Sequence, residues 1–113
     1  MAKDELVLLW TSADREVAVQ MAFMYAGNSM RLGWWREVTL LIWGPSARLA
    51  AQDPEIRQHL PGLAEAGVRL LACRKCADNY GASAALEAAG VTVVYTGELL
   101  TRWIKEGKAV LSV

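Results

Sequence analysis

Cysteine is nearly absent from this chain of 113 residues: there are two, alongside three prolines, one histidine and one phenylalanine. Two cysteines cannot supply the dense cross-links of a small disulfide scaffold, and a domain of this length buries roughly two-thirds of its unfolded surface without them. A single His59 beside two cysteines also falls short of the four ligands a structural zinc site uses, so no metal is expected unless subunits share one. Basic runs are missing too. None exceeds Arg74-Lys75, and twelve basic residues balance twelve acidic ones, so neither nucleic acid nor a membrane surface is expected as a partner. No apolar stretch approaches the ~20 residues of a membrane span. The opening Glu5-Leu6-Val7-Leu8-Leu9-Trp10 lacks the basic region and cleavage site of a secretory leader, and a cytoplasmic protein is the expectation. Lys3-Asp4-Glu5-Leu6 spells a retrieval signal, but one that is read only at a free C-terminus.

What the chain does have is apolar bulk: 54% hydrophobic residues against 21% charged, with five tryptophans. That is rich for a monomer, and some of this surface is expected to be buried between subunits of a homo-oligomer. Leu6–Thr11, Val38–Trp43, Val68–Cys73 and Val91–Tyr95 are near-continuous apolar runs, the pattern of strands buried on both faces, and Lys108–Val113 reads as a short fifth. Helical patterns separate them. Ala13–Met30 places Val17, Met21, Met24, Tyr25 and Asn28 on one side, while Ile56, Leu60 and Leu63 recur at amphipathic spacing after an Asp53 cap and Pro54. Pro61 should kink or split that second helix. Ser83–Ala89, capped by Ser83, and a face of Leu99, Leu100, Trp103 and Ile104 give two more. The alternation predicts a three-layer α/β/α fold with a mostly parallel sheet of about five strands, and without repeat or linker residues 1–113 read as one domain.

The two cysteines stand together, in Leu70-Leu71-Ala72-Cys73-Arg74-Lys75-Cys76, where an apolar strand turns polar. In open parallel sheets reactive groups gather at the carboxyl ends of strands, and a helix starting after Cys73 would aim N–H groups at its sulfur, with Arg74 and Lys75 adding charge if they turn that way. Cys73 is therefore the candidate nucleophile, and Cys76 a thiol that resolves a disulfide, receives sulfur or merely packs. A thioredoxin-like protein would need a proline after its thiols, yet Pro45, Pro54 and Pro61 all precede Cys73. Gly44-Pro45-Ser46 follows the second strand, and Gly44 and Ser46 are candidates to line the same pocket, although the segment fits neither nucleotide-loop pattern. Asp78, Asn79 and Tyr80 are candidates to orient a substrate, or form only a polar turn. Trp10 and Trp43 end strands and either wall an apolar pocket or belong to the core. His59, among polar neighbours, reads as exposed.

Three segments together, Ile42-Trp43-Gly44-Pro45, Gly67-Val68 leading into Leu70-Leu71-Ala72-Cys73, and Tyr95-Thr96-Gly97-Glu98-Leu99-Leu100, resemble the DsrE family of small sulfur-handling proteins over nearly the whole chain. The resemblance implies an α/β subunit assembled into trimers or hexamers, with a cysteine at the end of the third strand that carries sulfur as a persulfide. Cys73 matches that position, and Cys76 has no fixed counterpart. The reading is a sulfurtransferase-like carrier without cofactor, exchanging sulfur with donor and acceptor proteins or small sulfur species. A thiol-disulfide switch on Cys73 and Cys76 and a non-catalytic oligomeric binding module are the alternatives.

Overall fold

A computed structural model describes residues 4–113; Lys3 of the retrieval-like tetrapeptide lies outside them. Strands β1 (Glu5–Trp10), β2 (Glu37–Ile42), β3 (Arg69–Cys73), β4 (Thr92–Val94) and β5 (Ala109–Ser112) form one sheet in the order β4-β3-β2-β1-β5. Every neighbouring pair is parallel. All five expected strands are present and each lies within a residue or two of its predicted bounds.

The connections decide what covers each face. From β1 to β4 the chain steps one way across the sheet, and right-handed crossovers then stack α1 (Arg15–Val17), a π-helical stretch (Ala18–Phe23), α2 (Met24–Arg31), α3 (Pro45–Gln52), α4 (Pro54–Arg57), α5 (His59–Glu65), α6 (Arg74–Asn79) and α7 (Ser83–Ala88) on one side. The last connection runs back past β1, which sends α8 (Gly97–Lys105) to the other side. Leu8, Trp10, Leu40, Ile42, Leu70 and Ala72 face the first layer and form the main core. Val7, Leu41 and Leu71 face the second, where Trp103 of α8 packs on them with Leu99 and Leu100 beside it. No helix among the described residues is long and apolar enough to cross a membrane.

Two local features differ from the sequence pattern, and a third follows it. The first helix buries Ala18, Ala22, Ala26 and Gly27, while Met24, placed by the 3.6-residue period on the buried side, is exposed. The π-helical stretch shifts the register of the inward stripe, and small side chains at that stripe let the helix lie close to the sheet. Pro61 does split its helix: α4 ends at Arg57, to whose carbonyl the proline has no N–H to donate and against which its ring would clash, and α5 restarts at His59. Ser83 does not cap α7; its hydroxyl donates to Asp78 Oδ1 at 2.6 Å instead.

Candidate functional site

Cys73 ends β3 and is the N-cap residue of α6, with extended backbone angles (φ −67°, ψ 119°) that turn the chain from strand to helix in one step. It is two residues beyond Leu71, so alternation along the strand points its side chain toward the face that α8 covers. The residue is 6% exposed. Both cysteines are free thiols.

One turn of α6 brings Cys76 back beside Cys73, close enough for each thiol to shift the protonation of the other. Their environments drive their protonation apart. Burial is the largest influence on Cys73 and pushes its thiol up, but the Cys76 N–H, the Thr96 hydroxyl, the Cys76 thiol and the Lys75 N–H all favour the thiolate. Together they hold Cys73 below the ordinary thiol value. Cys76 moves the opposite way: burial pushes it up, the Gly44 N–H pulls it back, and the adjacent Cys73 sulfur pushes it up again, leaving it above the ordinary value. The pair therefore loses its first proton from Cys73, and the Cys76 S–H stays in place to donate to the resulting anion.

Charged side chains contribute little to this. Arg74 turns its guanidinium to the Val93 carbonyl of β4, with Nη2 at 2.7 Å, and lies 4.0 Å from Asp78. Lys75 acts through its backbone N–H. The groups that favour a thiolate at Cys73 are hydrogen-bond donors around a buried residue, where such donors are stronger than at the surface.

The other residues singled out by the sequence divide into two groups. Gly44 belongs with the thiols: φ 73° and ψ −138° start α3 and turn its N–H to the Cys76 sulfur. Ser46 is buried nearby, but its hydroxyl donates to the Trp10 carbonyl at 2.5 Å and accepts from the Trp43 N–H at 3.2 Å, tying β1 and β2 to the first turn of α3. Ser46→Ala should lower stability by about 1 kcal/mol, the net value of one such bond, and leave thiol reactivity unchanged; a urea unfolding series and an alkylation rate check both. Asp78, Asn79 and Tyr80 lie at the far end of α6, all exposed, with Asp78 accepting from Ser83 and the Tyr80 ring 6.0 Å beneath the Arg48 guanidinium. They do not converge on Cys73. Trp10 is fully buried against Phe23 in the main core, on the face opposite Cys73, whereas Trp43 is half-buried on the α8 side. His59 is exposed and lines a separate cavity of about 440 Å³ with Phe23, Arg31 and Leu63. Among the described residues no three His, Cys, Asp or Glu side chains are grouped to hold a metal ion.

One residue beside Cys73 carries no role in the sequence reading. Thr96 belongs to a segment quoted for the family resemblance, yet a threonine before Gly97-Glu98 reads as an ordinary helix cap. Its nearness to Cys73 comes from the tertiary fold.

The fold and site define a small parallel α/β protein with two neighbouring free thiols at the carboxyl end of its third strand. The chain matches the DsrE/DsrF-like family over residues 10–113, nearly its whole length, and it belongs to that family. Membership suggests a role related to sulfur relay. Among solved structures, a conserved protein of unknown function from Bacteroides thetaiotaomicron is similar, with 34% identity and a TM-score of 0.94 over 97% of this chain and 95% of that one. No curated protein matches significantly.

Proposed function

We propose that the protein is a sulfur carrier in which Cys73 holds a sulfane sulfur as a persulfide and passes it to an acceptor. The observation that carries this reading is a free cysteine, Cys73, at the junction of β3 and α6 in a chain of the DsrE/DsrF-like family; the neighbouring donors that favour its thiolate, and the opposite influence on Cys76, support it. In the loading step the Cys73 thiolate attacks the sulfane sulfur of a donor R–S–SH. A bond forms between Cys73 Sγ and that sulfur, the donor S–S bond breaks, and RS⁻ leaves with the electron pair. In the unloading step an acceptor thiolate attacks the outer sulfur, and Cys73 leaves as thiolate. The donors that favour the thiolate assist both steps, because a low-pKa thiol is also the faster leaving group. Neither step changes the total number of electrons, and neither calls for a cofactor.

Cys76 stays protonated while Cys73 carries sulfur, which protects the persulfide. Were Cys76 to ionise and attack Cys73 Sγ, hydrosulfide would leave and a Cys73–Cys76 disulfide would form. The contact between the thiols also favours a second reading, a reversible disulfide switch without sulfur uptake. Intact mass spectrometry of reduced protein exposed to polysulfide separates the two. A reducible gain of sulfur supports the carrier, and a loss of two hydrogens with no sulfur gained supports the switch.

Assembly into a homo-oligomer, a trimer or hexamer, is part of this proposal. Tyr95, 74% exposed, and Ile104, 57% exposed, lie at the start and on the outer side of the single helix covering the second face. Light scattering coupled to size exclusion should give a mass of three or six chains; a monomer at micromolar concentration would remove this element.

A further inference from the structure

Thr96 is 1% exposed, and its Oγ1 reaches no hydrogen-bond partner among the described residues. A buried hydroxyl left unpaired destabilises the folded state, since it forfeits its bonds with water, and such a group in a well-packed protein asks for an explanation. The obvious partner is missing as well. Thr96 is the N-cap residue of α8, the position where threonine ordinarily accepts from an N–H of the first turn, yet its side chain makes no cap bond. The hydroxyl is turned elsewhere.

The sheet register says where. Cys73 pairs with Val94 in the β3–β4 ladder, and Thr96 follows two residues later, as the chain leaves β4 and passes over the end of β3 into α8. The hydroxyl is thereby brought beside the Cys73 sulfur, close enough to favour its anionic form while the neutral thiol leaves it without a completed hydrogen bond. The partial positive charge of the nine-residue α8 falls at the same point. The α6 amides of Lys75 and Cys76 approach Cys73 from its own helix, so Thr96 is the donor contributed by a different element.

We infer that Thr96 is a further residue of the thiol site, a hydroxyl kept unpaired in the resting protein so that it completes its hydrogen bond only to an anionic sulfur at Cys73. The ligand class is a small sulfur anion, either the Cys73 thiolate itself or the terminal sulfur of a persulfide on it. The second of these rests on the carrier reading; the first does not.

Thr96→Val removes the hydroxyl at nearly constant shape, and Thr96→Ser keeps it. Iodoacetamide alkylation of Cys73 followed by mass spectrometry across pH 5 to 10 reads the thiolate directly, and thermal unfolding reads the fold. Thr96→Val is expected to slow alkylation several-fold at neutral pH and move its midpoint upward, to unfold at a temperature no lower than the parent, and Thr96→Ser to restore the parent profile. An unchanged alkylation profile in Thr96→Val overturns the inference, as does a profile that shifts equally in Thr96→Ser. Should Thr96→Val fail to fold, Thr96→Ala against Thr96→Ser makes the same comparison. Polysulfide loading is scored separately in each variant. A shifted profile in a protein that never takes up sulfur upholds Thr96 and removes the carrier reading, whereas normal loading with an unshifted profile does the reverse.

Discussion

Cys73→Ser protein is expected to gain no sulfur from polysulfide or thiosulfate, while Cys76→Ala protein still gains it but reacts more slowly at neutral pH. The first half follows from position: Cys73 is the thiol on which the Lys75 and Cys76 amides converge, whereas Cys76, even without the Cys73 sulfur beside it, has only the Gly44 N–H set against its burial and is the poorer nucleophile at pH 7. A hydroxyl at residue 73 would accept the same hydrogen bonds without ionising. The second half follows from the contact between the thiols. Removing the Cys76 S–H deletes one of the donors that favour the Cys73 thiolate, so the remaining thiol should ionise at higher pH and alkylate several-fold more slowly at neutrality. The sign of the pH dependence is fixed by the same shifts. Because Cys73 is depressed, its reactivity persists as pH falls below the ordinary thiol range and is lost only on passing through its own lower pKa, whereas Cys76 becomes reactive only in alkali. Sulfur uptake by Cys73→Ser, or equal reactivity of the two cysteines at pH 7, would remove the assignment.

Gly44→Ala should lower stability by about 1–3 kcal/mol, the usual cost of forcing a side chain into a backbone region that only glycine occupies readily. Space is not the reason. A Cβ at Gly44 would meet nothing within 4 Å, so the whole effect comes from φ 73° with ψ −138°. If the turn relaxes to a conformation alanine tolerates, the residue 44 N–H swings away from the Cys76 sulfur, and Cys76 should resist alkylation to still higher pH. A melting curve tests the first consequence and the alkylation profile of Cys76 the second. Full stability with an unaltered profile would mean that this turn does not need glycine and does not position the thiol.

Much of the architecture was legible because it follows from local pattern. Strands buried on both faces declare themselves as apolar runs, and Leu70-Leu71-Ala72-Cys73 has few other structures open to it. Pro61 splits its helix for a reason that acts within four residues. The first helix departs from the sequence pattern on its inward face for the converse reason: periodicity weighs hydrophobicity, but contact with the sheet there selects small size, and the π-helical stretch moves the stripe onto Ala18, Ala22 and Ala26.

The site divides along the same line. Sequence alone determined that a thiol stands at the carboxyl end of the third strand, that a second lies one helical turn away, and that backbone amides meet the first, since each is a consequence of short-range spacing. Which donors complete the site was decided by tertiary structure. Gly44 arrives from β2 and Thr96 from β4, joined to Cys73 only by the order β4-β3-β2 of the sheet. Arg74, the next residue after Cys73 and the obvious cation in the sequence, is drawn off to the Val93 carbonyl. Hydrogen bonds across neighbouring strands depend on topology, which no local spacing encodes: the α6 donors that favour ionisation of Cys73 follow from spacing, and the Thr96 hydroxyl and the Gly44 N–H from the order of the strands.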